Sequence, residues 1–234
     1  MSITRLSFNK LWMNFKRPEI DIILGARQVG KSTLLRMLEA KAKEEGYTTV
    51  FYDLEQPADL KQLSGSDEHV IPVLANAARV VFIDEFHYLK NASKIFKAIF
   101  DLRKKVKIYA SGSSSLEIHK HLKESLAGRY IKTMIYPLSI EEWGKLKDFT
   151  ESDYLQWGGL PGLVHRHTEG ERLDLLDNIL STYITKDIKG LIREENIREG
   201  ELVKIEVEKL KKSFLGALKG IGSFKKEDEL DTHD

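Results

Sequence analysis

Residues 20–35 read IDIILGARQVGKSTLL, and this stretch decides the fold. A mainly apolar run, residues 20–24, is followed by the pattern G-x-x-x-x-G-K-S and then by apolar residues at helical spacing. The pattern is that of a phosphate-binding loop, or P-loop, whose glycines let backbone N–H groups and the start of the next helix point at a phosphate. A strand before the loop and an amphipathic helix after it supply the context that the motif requires. The stretch therefore predicts a nucleotide-binding site.

The P-loop residues have separate predicted roles. Lys31 would reach the β- and γ-phosphates, Ser32 would offer its hydroxyl to Mg2+, and Thr33 would approach the α-phosphate. The other positions would surround the phosphates mainly with backbone groups: Gly25, Ala26, Arg27, Gln28, Val29 and Gly30. The expected ligands are a nucleotide and Mg2+.

Composition narrows the remaining classes of function. A chain of 234 residues with 41% hydrophobic content predicts one globular domain, or one domain with a small appendage. The formal net charge of +1 gives no overall electrostatic case for nucleic-acid or membrane binding, and the absence of cysteine excludes disulfides, thiolate metal sites and a cysteine nucleophile. No apolar run approaches the length of a membrane span or of a signal peptide, so we expect a cytoplasmic protein with no membrane partner.

Residues 79–85, RVVFIDE, predict a buried parallel strand that ends in two carboxylates. Its end would lie beside the P-loop. Asp84 is then the candidate for holding Mg2+ through its water shell, and Glu85 for orienting and deprotonating an attacking water. A glutamate directly after the aspartate favours hydrolysis of ATP over phosphate transfer to a small molecule.

Further strands are predicted at residues 48–53, 106–110 and 130–137. Helices are predicted around them: at residues 3–15, from the P-loop to about residue 46, and at residues 69–78 and 92–103. This alternation favours a parallel α/β sheet of about five strands with helices on both faces.

Two polar positions near the predicted strand ends are further candidates. Ser113 follows the strand at 106–110, with Ser111 and Ser114 as neighbours, and could sense the γ-phosphate; an ordinary helix N-cap is the alternative. Arg129 precedes the last strand and could meet the γ-phosphate of its own or of a neighbouring subunit; an exposed loop arginine is the alternative. His87 is interpreted as a packed residue near the site.

The motifs GARQVGKSTLL, FYDLE, VVFIDEFHYLKN, YASGSSS, SLAGRY, PLSIEEW and WGGLPGLV, taken in order, resemble a family of prokaryotic AAA-type ATPases over roughly residues 20–196. In that family a winged-helix segment and a nuclease-like domain of unknown function follow the ATPase module. The resemblance implies an α/β P-loop NTPase fold of the AAA+/ASCE type with strand order 5-1-4-3-2. It also implies an ATP–Mg2+ site at Lys31, Ser32, Asp84 and Glu85, with a polar sensor near Ser113 and an arginine at Arg129.

The sequence departs from the family in two ways. Relatives usually have glutamine near the position of His87. The chain also stops at Asp234, which leaves no room for the downstream domains, so we expect it to be truncated after the ATPase core or naturally limited to it.

Three regions are predicted along the chain. Residues 1–137 form the ATPase core with an N-terminal helical segment. Residues 138–200 form a small helical lid over the adenine, with a hinge at 157–162. Residues 201–234 form a charged amphipathic helix, packed on its own chain or on a second subunit, and a disordered tail.

The leading hypothesis is an ATPase that hydrolyses ATP with Mg2+ to drive conformational change in a protein or nucleic-acid partner, slowly without that partner. The alternative is a nucleotide-gated binding module with little turnover. Neither a homo-oligomer nor a DNA partner is decided by the sequence.

Overall fold

The fold is described from a computed structural model, which covers residues 3–102, 105–113, 126–146 and 150–183. The chain divides into two compact units, Met1–Thr168 and Glu169–Asp234. The first unit contains the P-loop, all the described strands and most of the described helices.

A five-stranded parallel sheet forms the centre of the first unit. Its strands are β1 (Ile20–Gly25), β2 (Thr49–Asp53), β3 (Val80–Asp84), β4 (Lys107–Ser113) and β5 (Tyr130–Ile135). They lie in the order β2-β3-β4-β1-β5, and every neighbouring pair is parallel. Read from the other edge, this is the predicted order 5-1-4-3-2, so the predicted fold class is confirmed.

Helices connect the strands and cover the sheet. In the first unit they are α1 (Leu6–Met13), α2 (Lys31–Glu44), α3 (Pro57–Gln62), α4 (Asp67–Ala77), α5 (Ala92–Asp101), α6 (Ile140–Trp143) and α7 (Glu151–Trp157). Short 3-10 turns lie at Asn14–Lys16, Phe86–Tyr88 and Pro161–His165. The short helix α3 was not predicted, although it begins at Pro57, in the first helical position that proline favours.

Apolar residues fill both faces of the sheet because successive strand residues point to opposite sides. On one face Ile22, Ile83 and Ala110 pack with apolar residues of α4 and α5. On the other, Ile23 and Phe82 pack with apolar residues of α1 and α2. The sheet is therefore buried on both faces, and it fixes the positions of the loops at the two ends of its strands.

A buried ion pair lies where β1 and β4 begin. Lys107 Nζ lies 2.6 Å from Asp21 Oδ2 and donates to the Glu19 carbonyl at 2.7 Å, while Asn14 Nδ2 donates to Asp21 Oδ1 at 2.7 Å. Burial lowers the pKa of the Lys107 ammonium and raises that of the Asp21 carboxyl, although each partner opposes the shift of the other. The pair explains why a charged residue interrupts the otherwise apolar strand β1.

The second unit contains the described helix α8 (Glu169–Tyr183). The rest of the predicted lid, residues 184–200, lies outside the described residues, and so do the amphipathic helix and the tail predicted within 201–234. The three-region division of the chain stays a prediction. Among the described residues, no helix has both the length and the apolar character needed to cross a bilayer.

Candidate phosphate-binding site

The P-loop connects the end of β1 to the start of α2, and its two glycines serve different purposes. A Cβ at Gly25 would overlap the carbonyl oxygen of Ile135 in β5, so the close approach of that strand excludes a side chain. Gly30 has φ +95°, in the left-handed region that favours glycine, and Gln28 also has a positive φ of 60°. The backbone therefore curves tightly before α2, as the motif predicts.

Lys31 is the first residue of α2 and is only 4% exposed. Its Nζ donates to the carbonyl oxygens of Gly25 at 3.1 Å and Ala26 at 2.8 Å, so the ammonium lies within the loop. Ser32 and Thr33 follow in the first turn of α2 and are exposed. The loop thus combines an ammonium, two hydroxyl groups and the positive end of a helix dipole, an arrangement that attracts anions.

Asp84 ends β3 and is held by two donors. The hydroxyl of Ser111, buried in the neighbouring strand β4, donates to Asp84 Oδ1, and so does the backbone N–H of Glu85, at 3.2 Å. Because β3, β4 and β1 are neighbouring parallel strands, the carboxylate at the end of β3 lies at the same end of the strands as the P-loop. Its two donors fix the direction in which its other oxygen can act.

Glu85 is buried and has a left-handed backbone, with φ 53° and ψ 49°. Such a conformation is uncommon for a residue with a side chain and is found preferentially at functional sites. Its Oε2 lies 3.2 Å from His87 Nδ1. Burial alone would raise the pKa of the Glu85 carboxyl, but His87, Lys31 and Arg27 outweigh burial and hold that pKa below its ordinary value. Glu85 is therefore an ionised carboxylate at neutral pH.

Two further contacts of the P-loop come from outside the sequence motif. Arg27 Nη1 lies 3.9 Å from the Glu55 carboxylate, just beyond β2, and Arg5 Nη1 donates to the Val29 carbonyl at 2.6 Å. The sequence indicates neither contact: Glu55 follows the end of a strand, where carboxylates are usually solvated, and Arg5 lies outside any recognisable pattern.

The predicted hinge at 157–162 lies in the first unit beside the P-loop. The Leu138 N–H donates to the Gly159 carbonyl at 2.6 Å, and Leu160 packs against the buried cluster that contains Val29. A Cβ placed on Gly30 would lie 3.7 Å from Pro161 Cγ. The segment is thus close enough to contribute to the wall of a nucleotide site.

The structure separates the two serine candidates. Ser111 contacts Asp84, whereas Ser113 is partly exposed and is paired in register with Gly25. Strand β4 extends three residues beyond the predicted strand, so Ser113 is a strand residue, and Ser114 lies outside the described residues. A sensing role for Ser113 stays a prediction.

Arg129 lies where strands β1 and β5 begin, whereas the P-loop lies at the opposite, carboxyl ends of the strands. Its carbonyl accepts from the Ile20 N–H, where β1 begins, and its guanidinium pairs with Asp101 at 2.8 Å. Strand β1 rises by about 3.3 Å per residue, so its start at Ile20 lies roughly 17 Å from Gly25 at its end. This distance is more than an arginine side chain spans. Arg129 therefore cannot serve the P-loop of its own chain, and only its action on a neighbouring subunit stays a prediction.

Comparison with known proteins agrees with the geometry of the loop and the sheet. The sequence matches the family described as AAA domain over residues 17–144, more than half of the chain. The chain belongs to this family. The match includes the P-loop, Asp84, Glu85 and Ser111, so the site lies inside the AAA domain.

Similar proteins include two uncharacterized ones. This chain is 23% identical over 197 residues to a protein of Methanocaldococcus jannaschii, and the alignment covers 77% of this chain and 44% of that protein. It is 25% identical over 205 residues to a protein of Haemophilus influenzae, covering 80% and 50%. The chain thus spans about half the length of these curated relatives. The winged-helix and nuclease-like continuation stays a prediction.

Among solved structures, the Aeropyrum pernix Orc1 protein in complex with DNA has a TM-score of 0.46 to this chain at 13% identity, covering 89% of this chain and 67% of that one.

The contact between Ser111 and Asp84 predicts different effects for two serine substitutions in β4. Ser111→Ala removes a buried donor to a carboxylate, so we expect the free energy of unfolding to fall by about 1–3 kcal/mol. Ser113→Ala, at a partly exposed position of the same strand, should change it by less than about 0.5 kcal/mol. Urea denaturation measures both values. Equal losses would contradict the assignment of Ser111 as the partner of Asp84.

Proposed function

We propose that this AAA domain binds ATP together with Mg2+ and hydrolyses it to ADP and phosphate. The observation that carries the proposal is the adjacency of three strand ends. The P-loop follows β1, Ser111 lies in β4, Asp84 ends β3 and Glu85 directly follows it, with β4 paired to both other strands. Because the strands are parallel, these groups lie together at the carboxyl ends of the strands, where ligands of α/β proteins bind.

Binding of the triphosphate would use the P-loop. Backbone N–H groups, the helix dipole of α2 and the Lys31 ammonium would meet the phosphate oxygens. Lys31 Nζ would exchange the carbonyls of Gly25 and Ala26 for those oxygens, which are stronger acceptors because they are charged.

The residues at the site fit Mg2+, which prefers oxygen ligands and keeps several waters. Ser32 would supply its hydroxyl, and Asp84, oriented by Ser111, would hold the ion through its water shell. Among the described residues no group of three His, Asp or Glu side chains could hold a metal by itself, so the phosphates themselves would complete the ligand set. When bound, the ion neutralises charge that develops on the β- and γ-phosphates.

Hydrolysis would use Glu85 as the general base. Its ionised carboxylate would accept a proton from a water molecule while the water oxygen bonds to the γ-phosphorus and the bond to the β-phosphate oxygen breaks. Lys31 would stabilise the charge on the transferred group. The low pKa of Glu85 leaves the carboxylate free of its own proton at neutral pH.

One contact favours slow turnover and therefore the second candidate, a nucleotide-gated binding module. Glu85 Oε2 lies 3.2 Å from His87 Nδ1 without a hydrogen bond between them, so the imidazole occupies space beside the oxygen that would hold the water. A protein or nucleic-acid partner that moves the 3-10 turn at Phe86–Tyr88 would then release Glu85. We also propose a cytoplasmic setting, with which the absence of cysteine is compatible.

Substitution of Lys31 and of Glu85 separates binding from turnover. Lys31→Ala should weaken ATP binding at least about 100-fold, since it removes the phosphate-binding ammonium. Glu85→Gln should keep the wild-type affinity and lose phosphate release at least about 100-fold, because an amide cannot accept the proton of water. Calorimetry measures the first quantity and steady-state phosphate release the second. Normal turnover by Glu85→Gln would show that another group activates the water, and tight ATP binding with negligible wild-type turnover would support the binding module.

The position of Arg129 leads us to propose that it acts on the γ-phosphate of a neighbouring subunit. Arg129→Ala should then lower turnover without changing ATP affinity, and wild-type turnover per chain should rise with protein concentration. A mixture of Arg129→Ala and Glu85→Gln chains should recover part of the activity, since one interface in the mixed assembly has both Glu85 and Arg129. Asp101→Asn, which removes the ion-pair partner but keeps Arg129, is the matched control and should retain turnover. A mixture that stays inactive, with turnover per chain independent of concentration, would contradict the proposal.

A further inference from the structure

Arg5 is a charged residue that the fold buries beside the P-loop. It directly precedes α1 and is only 7% exposed. Each of its three guanidinium nitrogens donates a hydrogen bond: Nη1 to the Val29 carbonyl at 2.6 Å, Nη2 to the Tyr136 carbonyl at 2.6 Å, and Nε to Glu142 Oε1 at 3.0 Å. One side chain thus connects the P-loop, the end of β5 and helix α6.

Glu142 holds the guanidinium in place from α6. Its Oε1 also accepts from the Leu6 N–H at 2.7 Å, and its Oε2 accepts from the Ser139 N–H at 2.9 Å within a capping box. Burial alone would raise the pKa of the Glu142 carboxyl, but these backbone bonds and Arg5 outweigh burial and lower it. A planar guanidinium fixed by a carboxylate in this way presents its remaining donors in set directions.

The contact with Val29 constrains the part of the loop that faces the phosphates. Val29 and Gly30 share one peptide plane, and no described peptide bond is cis, so the Gly30 N–H points away from the Val29 carbonyl. With the carbonyl held by Arg5 on one side, the N–H is directed to the other side of the plane. Gly30 has φ +95°, a conformation in which successive N–H groups form an anion-binding concavity.

We propose that Arg5 is a positioning residue for the nucleotide site: it holds the Val29–Gly30 peptide in the orientation that aims the Gly30 N–H at a phosphate. The inference rests on the proposed function, since it assigns the oriented donor to the triphosphate. The same guanidinium also donates to Glu142 Oε1 in α6, but the bond from Nη1 to Val29 is a separate one. Rotation of this peptide would break the bond between Arg5 and Val29 and remove one phosphate donor.

The test compares Arg5→Lys with Glu142→Gln. Arg5→Lys keeps the positive charge near Glu142 but has one nitrogen in place of three, so it cannot hold the carboxylate and both carbonyls. Glu142→Gln removes the charge of the ion pair but keeps an amide oxygen that accepts from Arg5 Nε, so the bond to Val29 persists. Both variants should lose stability, whereas only Arg5→Lys should lose the orientation of the loop peptide.

Two quantities are measured for the wild type and both variants: the dissociation constant of ATP with Mg2+ by calorimetry, and the NMR shift and hydrogen exchange of the Gly30 amide without nucleotide. Arg5→Lys should raise the dissociation constant about ten-fold, as expected for one lost charge-assisted contact, and should shift the Gly30 resonance and speed its exchange. Glu142→Gln should change the constant by less than about two-fold and leave the resonance nearly unchanged.

Arg17→Lys, at an exposed arginine paired with Glu19, is a surface control and should match the wild type in both measurements. Arg5→Lys with wild-type affinity and an unmoved Gly30 resonance would overturn the inference alone. Equal loss of affinity in Arg5→Lys and Glu142→Gln would also overturn it, because the effect would then follow stability. A wild-type chain that does not bind ATP would overturn the proposed function, and with it the assignment of the Gly30 donor to a triphosphate.

Discussion

The shared direction of the five strands is the constraint on which the rest of this structure depends. Because all strands are parallel, their carboxyl ends lie on the same side of the sheet. The register pairs Gly25, at the end of β1, with both Ser113 and Ile135. The P-loop, Asp84 and Glu85 are brought to that side from distant parts of the chain. The same constraint places residues that precede strands, such as Arg129, at the opposite, amino ends of the strands.

The charged groups inside the fold fall into two kinds. Asp21 with Lys107, and Arg5 with Glu142, are buried pairs in which both partners belong to the frame of the protein. Removal of one partner from such a pair leaves a buried charge and is costly. Lys31 and Glu85 instead contact groups that they can exchange, namely loop carbonyls and His87. The residues proposed to act on ATP are thus those whose present partners a phosphate or a water could replace.

Local patterns were enough to predict the strands and the candidate site residues at their ends, because the P-loop and the run that ends in Asp84 and Glu85 each carry their own signal. The strand order came from the family resemblance. The remainder depends on tertiary structure. The SGSSS stretch does not show which serine meets Asp84; the register of β4 with β3, which pairs Ala110 with Ile83, decides it. Arg129 could be assigned to one end of the strands only once the direction of β5 was known, and Arg5 acts through a fold that brings residue 5 to residues 29 and 142.

The most direct test of a single nucleotide site at the carboxyl ends of the strands is a crystal structure of the Glu85→Gln chain with ATP and Mg2+. We expect the γ-phosphate to contact Lys31 Nζ, with the metal between the phosphates, the Ser32 hydroxyl and the water shell of Asp84. The side chain at position 85 should face the γ-phosphorus. A nucleotide bound away from these ends, or a γ-phosphate beyond the reach of both Lys31 and position 85, would contradict the site.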